Sequence, residues 1–180
     1  MTTQADRVAE IAGFIKDVPD FPRPGVIFKD ITPLLANPHA YGASVDAMVE
    51  LAPQGIDVVV GMEARGFMFA GPVALKLGVG FVPVRKVGKL PRDVFSQTFD
   101  LEYGQDTLTV HQDAIPAGAR VLVVDDVLAT GGTVGATARL IHDLGADLVH
   151  VVVLVELGFL GGRSHLTSVG IEDLSAVISV

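Results

Sequence analysis

Val121-Leu122-Val123-Val124-Asp125-Asp126-Val127-Leu128-Ala129-Thr130-Gly131-Gly132-Thr133 decides the fold. Four apolar residues run into two adjacent carboxylates, then into a loop of small residues, and helical spacing resumes over residues 134–144 until Gly145. A short strand apolar on both faces belongs inside a parallel sheet. Ligands of such sheets lie outside the carboxyl ends of the strands, which puts Asp125 and the residues after it under inspection. The glycines let backbone N–H groups close round an anion, Thr130 and Thr133 add hydroxyls, and the following helix contributes the positive end of its dipole. Ala129, Thr130, Gly131, Gly132 and Thr133 therefore read as a cradle for one phosphate. Asp125 and Asp126 suit a vicinal diol, and such a pair can also hold a magnesium-bound water. Carboxylates followed by a phosphate loop match a ribose 5-phosphate lying across the strand end. No Lys follows the glycines and no Gly-x-Gly-x-x-Gly is present, which counts against ATP hydrolysis and a bound dinucleotide.

Working outward, residues 56–61, 80–84 and 149–155 repeat the doubly apolar strand pattern, and residues 67–77 read as a second connecting helix. Strand, helix, strand in this order implies right-handed crossovers and an open α/β sheet. Residues 94–110 alternate apolar and polar side chains around Gly104-Gln105, which predicts an antiparallel hairpin beside a mobile loop. Nearer the N-terminus, Val8, Ile11, Phe14 and Ile15 predict a helix over residues 4–16, and residues 38–51 another with Asn37 as its cap. The stretch 20–30 between them holds two prolines and a glycine and reads as extended, turning chain.

A chain of 180 residues with 49% hydrophobic and 19% charged residues is expected to be one folded domain, residues 1–180. Its net charge of −8 gives no electrostatic footprint for nucleic acid or an anionic membrane, so any anionic ligand needs a local concentration of donors. With no cysteine, disulfides and thiolate chemistry are excluded. Asp6, Arg7, Glu10, Lys16 and Asp17 interrupt the N-terminal segment, and the strongest apolar run, 149–155, is too short to span a bilayer; a soluble cytoplasmic protein is expected. The five histidines show no metal-ligand spacing.

Two further constellations follow strand ends. Glu63 and Arg65 stand in a turn before a helix, where a guanidinium fork suits a pyrophosphate. Arg85, Lys86, Lys89 and Arg92 put four cations into eight residues beside Gly88 and Pro91, enough to neutralise a leaving pyrophosphate from a hinged lid.

The segment 121–133 resembles the phosphoribosyl pyrophosphate motif of the type I phosphoribosyltransferases. Asp20-Phe21-Pro22-Arg23-Pro24-Gly25-Val26-Ile27-Phe28-Lys29-Asp30-Ile31-Thr32-Pro33, Gly61-Met62-Glu63-Ala64-Arg65-Gly66-Phe67, Arg85-Lys86-Val87-Gly88-Lys89-Leu90-Pro91 and Leu101-Glu102-Tyr103-Gly104 narrow the resemblance to the adenine phosphoribosyltransferases. The resemblance implies that family's fold: a central, mostly parallel sheet flanked by helices, an N-terminal hood and adenine-binding segment over residues 1–35, and a flexible lid and hairpin over 85–103. It implies transfer of ribose 5-phosphate from phosphoribosyl pyrophosphate to adenine, giving AMP and pyrophosphate, in a homodimer. It implies Mg2+ held mainly through substrate and water near Asp125, with no direct protein ligand. Phe28 stacks on the purine, the backbone of Ile27 and Lys29 reads its edge, and Val127 closes its other face. Arg65, Lys86 and Lys89 share the pyrophosphate charge, and Arg85 or Lys89 serves the neighbouring subunit. The resemblance implies that Glu102 is the catalytic residue, acting at the base. The resemblance also implies a cis peptide at or near Glu63–Ala64 in the ligand-bound form. Phe99 stands where many members have Tyr, so any role of that hydroxyl is missing. Another purine base, or a phosphoribosyl pyrophosphate sensor without catalysis, are the alternatives.

Overall fold

The structure is a computed structural model that describes residues 3–100 and 104–180. It forms two compact units that divide between Ala47 and Met48.

The first unit opens with helix α1 (Gln4–Gly13), capped reciprocally: the Asp6 N–H donates to Thr3 Oγ1 at 3.1 Å and the Thr3 N–H to the Asp6 carboxylate at 3.0 Å. It stops earlier than the apolar spacing predicts, because β1 (Lys16–Pro19) leaves to pair antiparallel with β2 (Ile27–Asp30), Val18 opposite Phe28. The proline-rich connection is the turning segment its composition demands. Its Phe21–Pro22 bond is cis, and Asp20 Oδ1 accepts the Gly25 N–H at 2.7 Å. A short helix α2 (Thr32–Ala36) was not predicted. Asp30 accepts the Thr32 N–H at 2.8 Å and Pro33 occupies the first turn, where its missing donor costs nothing. Helix α3 (Pro38–Leu51) begins where the sequence places it, with Asn37 Oδ1 accepting the N–H groups of His39 and Ala40 at 3.1 and 3.0 Å.

The second unit is built on a seven-stranded sheet. Strands β3 (Val58–Met62), β4 (Gly80–Lys86), β7 (Arg120–Leu128), β8 (Asp147–Glu156) and β9 (Leu174–Ser179) run parallel, and the hairpin of β5 (Val94–Asp100) and β6 (Gln105–His111) extends the sheet antiparallel from β4. The spatial order is β5-β6-β4-β3-β7-β8-β9. Helices α4 (Gly66–Leu77) and α5 (Gly132–Asp143) make the β3–β4 and β7–β8 crossovers; a 3-10 turn at Gly158–Leu160 and helix α6 (Gly162–Ser168) make the last. Val60, Val121, Val123, Val151 and Val153 from the strands pack with Leu140 and Ile141 of α5 and Leu166 of α6 in one buried cluster. Burying β-branched residues on both faces of central strands is what makes these runs legible in the sequence.

The chain leaves β3 toward β4 on one side and later returns as β7 on the other. The carboxyl ends of β3 and β7 thus form the switch point where open α/β sheets bind ligands. β7 does not stop at Val124 as its apolar run suggests. It continues through Asp125 and Asp126 to Leu128, because β8 supplies partners: Asp125 pairs with Val153 and Leu128 with Glu156. On the other side its pairing with β3 ends at Gly61 opposite Val124. Among the described residues no helix is long and apolar enough to cross a membrane.

Helix α4 lies close on β3 because Gly61 has no side chain. A Cβ there would come 2.5 Å from Ala70 Cβ and 3.0 Å from the Phe81 ring. Gly61→Ala is expected to lower stability by about 1–3 kcal/mol through overpacking. Denaturant unfolding checks this, and a wild-type midpoint would contradict so close a contact.

Candidate active site

Past Val124 the β3 side of β7 is open, and the N-terminus of α4 enters there. Gly66 is the point of entry: a Cβ on it would lie 2.7 Å from Asp125 Oδ1 and 3.3 Å from the Val124 carbonyl oxygen. Asp125 is buried, and its Oδ1 accepts the Asp126 N–H at 2.9 Å. Burial first, and then the neighbouring Asp126 carboxylate, push the Asp125 carboxyl well above the ordinary aspartate range. Asp126, next along the strand and so on the alternate side, accepts from Arg65 Nε at 2.5 Å and pairs also with Arg65 Nη2. Arg65 and Asp126 are 61 residues apart in the chain, and the fork between β3 and β7 brings them together.

The connection from β3 to α4 carries the predicted cis bond at Glu63–Ala64. Glu63 faces β4: Arg85 donates from Nε and Nη2 to its two carboxylate oxygens at 3.2 Å each, and the Lys86 N–H donates at 3.0 Å. Partial burial would raise the Glu63 carboxyl, but the Lys86 N–H, the Arg85 hydrogen bonds and the Arg85 and Lys89 charges outweigh it and hold it below its ordinary value. Arg85 and Lys86 are the last residues of β4, paired with Thr109 and Leu108 of β6, and not loop residues. The turn after them is closed by the Lys89 N–H on the Lys86 carbonyl at 3.2 Å, with Gly88 at φ 79°. Three of the four cations read as a cluster are paired within the chain: Arg85 with Glu63, Lys86 with Asp106 at 2.9 Å, and Arg92 with Asp113. Lys89 is exposed and has no ion-pair partner among the described residues.

Ala129 and Thr130 lead from β7 to Gly131, whose φ of 86° favours glycine. Gly132 and Thr133 begin α5, whose first-turn N–H groups have no intrahelical acceptor and are available to an anion. A Cβ on Gly132 would lie 3.1 Å from the Phe99 ring and 3.4 Å from the Asp100 carbonyl oxygen, so the hairpin covers the start of α5. Phe99 is buried here, and its ring acts in packing.

Ile27, Phe28 and Lys29 lie on β2 in the first unit. Ile27 is exposed, Phe28 meets Phe21 edge to face at 5.1 Å, and Lys29 Nζ pairs with Asp17 at 2.6 Å. Glu102 lies outside the described residues. The Glu63–Arg85 link and the packing of Gly66 on Asp125 are features that local sequence reading misses. An unmatched charge near a strand end hints at the first; a glycine directly before an apolar helix hints at the second.

A model of the phosphoribosyl transferase domain matches residues 34–165. Over 170 residues the chain is 65% identical to an adenine phosphoribosyltransferase of Cutibacterium acnes, covering 94% of this chain and 96% of that one. The chain belongs to the adenine phosphoribosyltransferase family. The family's solved structures superpose closely. The enzyme of Thermoanaerobacter pseudethanolicus does so with a TM-score of 0.92 at 45% identity, covering 96% of this chain and 99% of that one. The Saccharomyces cerevisiae adenine phosphoribosyltransferase, solved with an imino-altritol bisphosphate and adenine, gives 0.89 at 40% identity, covering 96% and 99%.

A carboxyl with a depressed folded value contributes stability that is full above its unfolded value, about 4.3 for Glu, and is lost as pH falls through the folded value. Glu63→Gln should therefore lower the melting temperature near neutral pH and lose less on acidification than the wild type. Parallel acid profiles would show that the Glu63–Arg85 link contributes nothing to folding.

Proposed function

We propose that the chain transfers the ribose 5-phosphate unit of phosphoribosyl pyrophosphate to N9 of adenine, giving AMP and pyrophosphate, a purine-salvage reaction of the cytoplasm. The observation that carries this is the fork where β7 presents Asp125, Asp126 and the loop 129–133 beside Arg65. Full-length likeness to enzymes of this activity supports it.

The bond from the anomeric carbon to the pyrophosphate oxygen breaks and the bond to N9 forms. Positive character develops on the sugar and negative charge on the leaving group. Asp125 and Asp126 accept from the ribose hydroxyls, and the backbone of Ala129, Thr130, Gly131, Gly132 and Thr133 holds the 5′-phosphate. For Arg65 to reach the pyrophosphate it exchanges Asp126 for phosphate oxygens, whereas Lys89 needs no exchange; Lys86 and Arg85 add charge from the end of β4. The backbone of Ile27 and Lys29 reads the purine edge, Phe28 stacks on its face, and Glu102 exchanges a proton at the base.

Among the described residues no three His, Asp or Glu side chains gather as a metal site. A buried Asp125 beside Asp126 fits Mg2+ carried by substrate oxygens and water, its usual habit. When bound, that ion neutralises pyrophosphate charge and orders the ribose hydroxyls. Exposed Met68 and Leu75 on α4 and Phe81 on β4 support a homodimer, in which Arg85 or Lys89 reaches the partner's site. The acidic net charge of −8 argues against nucleic-acid or membrane partners.

Incubating the protein with Mg2+, phosphoribosyl pyrophosphate and each purine base in turn should yield AMP from adenine alone. Another nucleotide would overturn the base assignment. Binding without any nucleotide would make the chain a sensor. Asp126→Ala, which removes a charge-assisted hydrogen bond to the sugar, should raise KM for phosphoribosyl pyrophosphate about 10–100-fold. An unchanged KM would remove the diol role.

A further inference from the structure

The segment after Glu156 carries no family motif read from the sequence, yet it packs directly against the phosphate loop. A Cβ on Gly162 would sit 2.2 Å from the Ala129 carbonyl oxygen and 3.1 Å from Leu128 Cγ. The Cβ position of Gly131 is likewise filled, by the Gly162 carbonyl oxygen at 3.0 Å, Leu166 Cγ at 3.2 Å and the His165 ring at 3.3 Å. The loop is thus clamped between α6 on one side and Phe99 and Asp100, against Gly132, on the other.

Burial of Leu166 in the core and one ion pair hold α6 there. Arg163, adjacent to Gly162, donates from Nε and Nη2 to the two carboxylate oxygens of Glu156 at 2.9 and 2.6 Å, and from Nη1 to the Leu174 carbonyl of β9 at 2.9 Å. Glu156 is buried and ends β8 in register with Leu128, the residue before Ala129. The Leu157 N–H donates to the Leu128 carbonyl at 2.9 Å. The fork therefore ties Gly162 to the strand end from which the loop emerges, and its planar geometry fixes direction as well as distance.

In a trans peptide the C=O and N–H lie in one plane and point in opposite directions. With the Ala129 carbonyl pressed against Gly162, the Thr130 N–H is aimed away from α6. We propose that Arg163 is a positioning residue: through Glu156 it seats Gly162 against Ala129 and so aims the Thr130 N–H at the 5′-phosphate of the sugar. This rests on the reading of the loop given under Proposed function.

The test is calorimetric titration of the full chain with ribose 5-phosphate and, separately, with adenine, for the wild type, Arg163→Gln, Arg163→Lys and Gly162→Ala. Thermal melts establish that each is folded. A sub-ångström misplacement of donors is expected to weaken ribose 5-phosphate binding about tenfold in Gly162→Ala and Arg163→Gln, with adenine affinity held within about twofold. Arg163→Lys keeps the charge and loses the fork, so it falls between them and the wild type. In turnover the same variants raise KM for phosphoribosyl pyrophosphate more than they lower kcat. If Arg163→Gln does not fold, Gly162→Ala and Arg163→Lys decide. Wild-type ribose 5-phosphate affinity in the folded variants, or an equal loss for adenine, overturns the positioning role. A wild type that itself fails to bind ribose 5-phosphate overturns the reading of the loop instead.

Discussion

Strand β7 outruns β3, and the site depends on that mismatch. Pairing with β3 ends at Val124, while pairing with β8 continues to Leu128. The unpaired side opens a fork in the middle of the sheet, where a buried backbone would otherwise need partners. Two carboxylates occupy it because the N-terminus of α4 and the Arg65 guanidinium are there to meet them. Gly66 sets how far α4 advances and so how thoroughly Asp125 is removed from water.

Charge compensation explains the rest of the arrangement. Buried or half-buried ions persist only when paired, and four pairs here join separate parts of the second unit. Arg65–Asp126 bridges the β3 end to β7, Arg85–Glu63 bridges β4 to the β3 end, Lys86–Asp106 bridges β4 to β6, and Arg163–Glu156 bridges α6 to β8. A substrate rich in phosphate and hydroxyl groups can replace the partners of the first three, since it offers the cations oxygens and the carboxylates donors. The fourth pair lies behind the loop and stays in place.

The doubly apolar strands and the helices between them were legible because burial on two faces leaves an unbroken run of Val, Leu and Ile. The phosphate loop was legible because few sequences place two aspartates and a Thr-Gly-Gly-Thr after such a run. The length of β7 was not, since Asp125 and Asp126 look like a strand end until β8 is known to lie alongside. Helix α2 was hidden by Pro33 inside a segment already read as turning. Strand β9, Leu174–Ser179, lies at a sheet edge with its short apolar run broken by Ser175, and α6 is too short to show a period. The pairings of Arg65 with Asp126 and of Arg85 with Glu63 span 61 and 22 residues, and only the topology creates them.

The central claim is that the fork holds the sugar through a carboxyl kept dry by Gly66 and charged neighbours. It is tested most directly by ribose 5-phosphate affinity of the wild type and Asp125→Asn from about pH 4 to pH 8, a range reaching above the ordinary aspartate value of about 3.9. The deprotonated carboxylate offers two charged acceptor oxygens to the ribose hydroxyls, where a protonated carboxyl or an amide offers one neutral carbonyl oxygen. Because burial and the Asp126 carboxylate raise the Asp125 carboxyl, the advantage of the wild type over Asp125→Asn should grow toward the alkaline end of the range and shrink toward the acid end. A ratio of affinities that stays constant across the range would contradict the account.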